Sequence, residues 1–335
     1  MVMMTRTKPT TIIITMTTDF DRYIIHQAYL EGYKDQLDKD NDNMYDIIAA
    51  IIIASISRLT TKSIGDIPKR QLQGMVRDIV TKIGAQLSER NGQLYDELQR
   101  FAATDLAFFA RIAGQRASNL NSAMVWAELA NMPIAANGIE PKRALAEVSA
   151  MMTISLGSTV RKAYANNLTL DQTIKSIVGT RSLNFRDGQI YKLRRKYNAE
   201  LYTLMQHITS YINDKTGRLI SDRYIWVSVI DSATTDICRG RSGQVYVYGE
   251  GPRPPAHYYC RSTTAPYTVD VPDDMPTFYS WLKTQSAGIQ NDILGATRGL
   301  SLRNGDLKSD QLPGFDGTRP LTLAQFATKL SNLFT

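Results

Sequence analysis

Apolar residues recur with a helical period through the first two thirds of the chain, and near Arg223 the pattern changes to strand-like alternation. That switch restricts the fold to a helical body followed by a small mixed part. Asp19 to Asp38 places Phe20, Tyr23, Ile24, Ala28, Tyr29 and Tyr33 close to a 3.6-residue repeat. A polar break at Lys39 to Asn43 separates it from a helix carrying the apolar run Ile47 to Ile56. Pro68 suits the first turn of a third helix reaching about Leu87, because its missing N–H is not needed there. Asn91 is read as the cap of the next helix, with Leu94, Leu98, Phe101, Leu106, Phe109 and Ile112 inward. Pro141 opens another helix to about Asn166. Thr169 and Gln172 have the spacing of a capping box and begin a short helix that ends near Gly179, and a long helix fits Gln189 to Asp214.

Beyond residue 218 the texture differs. Tyr224 to Ile230 alternates as a strand, Gln244 to Tyr248 is a second strand after the turn-like Arg241-Ser242-Gly243, and Arg261 to Thr268 is a third extended piece. Helices return at Thr277 to Leu294, and Thr322-x-x-Gln325 is a second capping-box spacing before a final helix to about Leu333. The expected fold is mostly α. A helical region over residues 1–217 precedes a small α+β domain over 218–335 with a short antiparallel sheet.

Composition narrows the functional classes. The 335 residues allow two cores, and 43% hydrophobic content suits a globular chain. Lys and Arg number 39 against 32 acidic residues, a net charge of +7 that is compatible with a polyanion nearby without requiring one. Two cysteines are too few for a disulfide-built domain and suggest synthesis in a reducing compartment. Met1 to Thr18 carries no signal-peptide pattern, and the ten residues of Ile47 to Ile56 fall short of the about 20 needed to span a bilayer, so no stable membrane span is expected. No phosphate-binding loop, dinucleotide fingerprint, H-E-x-x-H or G-x-S-x-G motif occurs.

One constellation carries chemistry. Both cysteines and one of the three histidines form Cys238-x18-His257-x2-Cys260, with Asp231 and Asp236 before it and Pro254-Pro255 stiffening the approach. Zinc favours thiolate and imidazole in a tetrahedron, so these residues offer three ligands, and Asp231 or Asp236 could supply a fourth. The same residues also suit a packed polar network in which His257 bonds Asp231 or a backbone carbonyl, and a disulfide or catalysis stays open. A second feature is basic: Arg186, Lys192, Arg194, Arg195 and Lys196 surround the start of the long helix, as a phosphate-neutralising stripe or as a solvated face.

At this constellation the chain resembles a known family. Trp226-x4-Asp231, Thr235-x2-Cys238-x4-Gly243 and Pro254-Pro255-x-His257-x2-Cys260-Arg261-Ser262 look like the signature of the phage Mu F-like head-morphogenesis, or minor head protein, family. Trp281-Leu282-x2-Gln285, Leu294-Gly295-x2-Arg298, Gly305 and Leu321-Thr322-Leu323 resemble the segments that follow it. The resemblance covers about residues 218 to 330, while the helical part matches only in kind and its Thr-rich start departs from the pattern. It implies a low-copy virion protein inside the capsid near the portal, made in the host cytoplasm and acting in head assembly and genome delivery. Its implied partners are the portal protein, packaged double-stranded DNA, other head or internal virion proteins, and copies of itself. Asp231, Cys238, His257, Cys260 and Arg261 would then build the core of the C-terminal domain; the family gives them no agreed catalytic role, and none is assigned. The competing expectations are a metal-dependent hydrolase or transferase using Asp231, His257 and the two cysteines, and a free DNA-binding factor.

Overall fold

The computed structural model describes residues 17–228, 234–268, 271–272, 274, 276–311 and 320–334. Helix α1 (Asp19–Asp40) opens on a full capping box, Thr18 accepting from the Asp21 amide while the Asp21 carboxylate accepts from Thr18. It is buried on almost every side, since Ile25, His26, Gln27, Leu30, Glu31 and Lys34 join the apolar stripe expected there. A helix buried all round must satisfy its polar side chains internally. Lys34 Nζ donates to Glu31 at 2.7 Å and to Gln206 at 2.9 Å, and Gln27 donates to Glu31 at 2.8 Å.

The break after α1 is a single residue. Asn41 separates it from α2 (Asp42–Ser57), and its side-chain oxygen accepts from Arg90 at 2.7 Å. The two helices expected on either side of Asn91 are one helix, α3 (Lys69–Ala113), which is 45 residues long. Asn91 does not cap. Its amide instead donates to Ser149 at 2.9 Å and to the Leu145 carbonyl at 3.3 Å, and its oxygen accepts from Tyr197 at 2.9 Å. With those partners the side chain has no reason to compete for the backbone of its own helix, and the helix continues.

Helix α4 (Ser122–Ala130), capped by Asn121, was not expected from the sequence. Helices α5 (Pro141–Ala165), α6 (Leu170–Val178) and α7 (Gln189–Gly217) follow the sequence closely, with the capping box at Thr169 and Gln172 formed. The body is built by α3, α5 and α7 packing on one another, with α2 against α3 and α6 against α5 and α7.

The sheet comprises β1 (Arg223–Val227), β2 (Val245–Val247) and β3 (Thr263–Pro266) in the antiparallel order β2-β1-β3. Tyr224 pairs with Tyr246 on one side and Pro266 on the other. The strand β3 is an edge, and α7 covers it. Gln206 donates to the Ser262 carbonyl at 2.9 Å and Asn213 to that of Thr264 at 2.6 Å, occupying acceptors that an open edge would leave bare. The short helix α8 (Asp236–Arg241) lies between β1 and β2.

The expected Thr277 to Leu294 helix is two, α9 (Phe278–Thr284) and α10 (Ala287–Leu294), because Ser286 caps the second by accepting from the Ile289 amide. Helix α11 (Ala296–Asn304) follows, and α12 (Leu323–Asn332) opens on the capping box read at Thr322 and Gln325. Helix α12 returns to α1 and α3, where Phe326 is fully buried against Tyr33 and Phe101. The chain is thus mostly α, with a small antiparallel sheet in its C-terminal part. One hydrophobic cluster runs from Phe20 in α1 through α3, α5 and α7 to Ile225, Trp281 and Leu330, so it crosses residue 218. Among the described residues no helix is long and apolar enough to cross a membrane.

Candidate metal centre

Two segments deliver the side chains. Cys238 sits in the first turns of α8, and His257 and Cys260 lie on the loop between β2 and β3. A turn closed by the Cys260 amide on the His257 carbonyl at 3.2 Å brings both side chains of the H-x2-C spacing to one side. Within that turn Tyr259 takes the left-handed backbone conformation, φ 57°, which costs a non-glycine residue free energy. Three contacts on α7 offset it. The Tyr259 hydroxyl donates to the Arg195 carbonyl at 2.7 Å, its amide to Thr203 at 3.2 Å, and its ring meets Tyr202 edge-on. The Pro254–Pro255 peptide in the approach is cis.

The three ligand atoms lie within 4.8 Å of one another. Cys238 Sγ is 3.1 Å from His257 Nε2 and 3.8 Å from Cys260 Sγ. A tetrahedral zinc with bonds of about 2.3 Å to sulfur and about 2.0 Å to nitrogen sets sulfur–sulfur edges near 3.8 Å and sulfur–nitrogen edges near 3.5 Å. The Cys238–Cys260 edge matches, the Cys238–His257 edge is shorter than that and the third lies within 4.8 Å, so the three side chains can supply three corners of such a site once they rearrange around the ion.

The histidine tautomer follows from its partners. His257 Nδ1 lies 2.7 Å from the Tyr258 carbonyl, which can only accept, so Nδ1 carries the proton and Nε2 presents its lone pair to Cys238. An outer N–H bond to a carbonyl is also how metal-binding histidines are oriented. Thr235 Oγ1 is 2.9 Å from the same Nε2. It has the N-cap backbone of α8 but makes no capping bond, because its hydroxyl is turned to the site.

Both cysteines are reduced and buried, and His257 is half-buried. The bond between the thiols holds Cys238 below the ordinary thiol range. The same bond, with burial, pushes Cys260 well above it. Beneath lies a hydrogen-bonded floor in which Ser228 Oγ receives the Trp226 indole N–H at 2.8 Å, meets the Cys238 carbonyl at 2.8 Å and reaches Ser262 Oγ at 2.9 Å. Trp226, Cys238 and Cys260 form their own small core, with Arg241 stacked 5.1 Å over the indole. The opening beside the ligands is about 20 Å³ and is lined by Thr234, Thr235, Cys238, His257, Tyr259, Arg261 and Ser262. That is the room of one water-sized ligand.

Of the residues expected at the site, Cys238, His257 and Cys260 converge. Asp231 lies outside the described residues. Asp236 is exposed at the start of α8 and stands outside the converging group. Ser228 was not anticipated as a support, since a lone serine after a strand carries no signal of its own.

The basic cluster divides in two. Lys192, Arg195 and Lys196 are exposed on one face of α7 at relative positions 0, 3 and 4, with exposed Arg186 just before the helix. Arg194 is turned away from that face and bonded to Asp38 at 2.8 Å and Asp42 at 2.6 Å, with its guanidinium over Tyr45. It anchors α7 to α1 and α2. No family model, curated protein or solved structure matches this chain.

Proposed function

We propose that the chain is a minor head protein of a tailed bacteriophage, located inside the virion beside the portal and the packaged DNA, and that Cys238, His257 and Cys260 hold a zinc ion as a structural tie. The observation that carries the reading is convergence. The residues on which the family resemblance rests come from separate segments, yet Trp226, Thr235, Cys238, His257, Cys260 and Ser262 are joined through contacts into one packed unit. A signature whose members touch is what a shared domain core requires.

Zinc in this position would supply cross-linking between α8 and the β2–β3 loop, and neutral Nε2 and the thiolates would be its ligands. The role proposed is structural. Side chains from α8 and from the β2–β3 loop that converge on one point favour a tie over the hydrolase or transferase reading. The exposed Lys192, Arg195 and Lys196 face, with Arg186, is suited to phosphate contact, so packaged DNA is the partner assigned to it. The portal, other internal virion proteins and further copies of the chain are assigned to the helical body.

The test is the protein content of phage particles. Mass spectrometry of purified virions and procapsids is expected to find this chain at low copy. Particles of full infectivity that lack it would remove the reading.

A further inference from the structure

The geometry of the two cysteines supports a chemical step that a purely structural tie does not need. Their sulfurs are already in contact at 3.8 Å, and a disulfide requires them to close by only about 2 Å. The two are not equivalent. Cys238 lines the small opening with His257 and Thr235, whereas Cys260 is not part of that lining and is fully buried behind Cys238. A small oxidant that enters this opening therefore meets Cys238 first. His257 Nε2, 3.1 Å from Cys238 Sγ with its lone pair turned to it, is placed to take the thiol proton.

We propose that Cys238 and Cys260 are a peroxide-reactive dithiol, in which Cys238 is attacked first and Cys260 closes a reversible disulfide. The inference deepens the metal reading and rests on it in one respect: the reduced pair is the one that would hold the ion, so a metal-loaded site is protected. In the first step the Cys238 sulfur attacks one oxygen of hydrogen peroxide. The S–O bond forms, the O–O bond breaks, and the departing hydroxide takes the thiol proton, relayed by His257, and leaves as water. In the second step the Cys260 sulfur attacks the sulfenic sulfur of Cys238. The S–S bond forms, the S–O bond breaks, and the hydroxide leaves with the Cys260 proton as a second water. Two thiols lose two electrons and one peroxide is reduced to two waters. A dithiol reductant reverses the product.

The experiment uses the full chain, stripped of metal with a chelator and treated with one equivalent of hydrogen peroxide. Peptide mapping is expected to find an intramolecular Cys238–Cys260 disulfide, lost on reduction. In Cys260→Ser the second step is removed, and Cys238 is expected to accumulate as a sulfenic acid trapped by dimedone, a signal weak in the wild type. Prior loading with zinc should suppress both products. Two free thiols, or sulfinic acid at Cys238 beside an unreacted Cys260, in folded wild-type protein would overturn the proposal even if the serine variant fails to fold. The outcomes separate the two readings. Zinc binding without any disulfide in the stripped protein defeats the dithiol and leaves the metal. A disulfide that forms equally fast with zinc present defeats the metal and leaves the dithiol.

Discussion

At the residue scale, three histidines take three different roles. His257 faces the two thiols. His26 is fully buried, 2.9 Å from Asp105 and packed among Phe108, Phe109 and Phe326. His207 is buried in α7, and burial, aided by the Arg253 charge, lowers its pKa from 6.5 to about 3. The folded protein therefore keeps His207 neutral while the unfolded chain protonates near 6.5. Its contribution to stability is intact above that pH and is lost as pH falls from 6.5 towards about 3. Urea unfolding of wild type and His207→Leu across this range is expected to show the wild type losing more stability on acidification. Parallel curves would contradict the assignment. The Cys–His–Cys group was legible in the sequence because two residues between His257 and Cys260 is a chelating spacing and both cysteines fall in one short span. Thr235 as a partner of His257, and Ser228 beneath the site, were not legible, since each depends on a hydrogen bond made only after separate segments meet.

At the scale of elements, capping chemistry made boundaries readable. The boxes at Thr169–Gln172 and Thr322–Gln325 both form, because their partners lie within one turn. Asn91 misled for the opposite reason: its partners, Ser149 and Tyr197, lie far along the chain. Helix packing also gives one substitution two signs. A β-carbon at Gly92 in α3 meets nothing within 4 Å, so Gly92→Ala should stabilise by about 0.5–1 kcal/mol through helix propensity. At Gly157 in α5 the added carbon would lie 2.9 Å from a Val80 methyl of α3, so Gly157→Ala should destabilise by about 1–3 kcal/mol. Equilibrium denaturation of the two variants checks both signs. On α7, Lys192→Ala, Arg195→Ala and Lys196→Ala combined should flatten the dependence of log duplex-DNA affinity on log salt by about 3. Arg194→Ala, which breaks the pairs to Asp38 and Asp42, should lower stability with little change in that slope. An unchanged slope in the triple variant would exclude this face from DNA contact.

At the scale of the whole molecule, the order of helical body then small sheet was readable because periodicity is local. The shared core was not, because it is made by segments far apart in sequence. Trp281 of α9 donates to Asp21 of α1 at 2.8 Å, the Leu321 amide donates to the Gly32 carbonyl at 3.0 Å, and Phe326 of α12 fills the space between α1 and α3. Phe326→Ala is accordingly expected to cost about 3–5 kcal/mol and to lower the midpoint of the unfolding of the α1–α3 body, not of the sheet alone. Far-ultraviolet circular dichroism and tryptophan fluorescence followed together in denaturant would reveal an effect confined to one probe if that were wrong. The central claim is that the three converging side chains tie the sheet region through an ion. The most direct measurement is the zinc content of the purified, reduced full chain by plasma mass spectrometry, beside Cys260→Ser. The account predicts one zinc per chain, absent from the variant and released on chelation with loss of thermal stability. A folded wild-type protein that takes up no zinc when it is offered would contradict it.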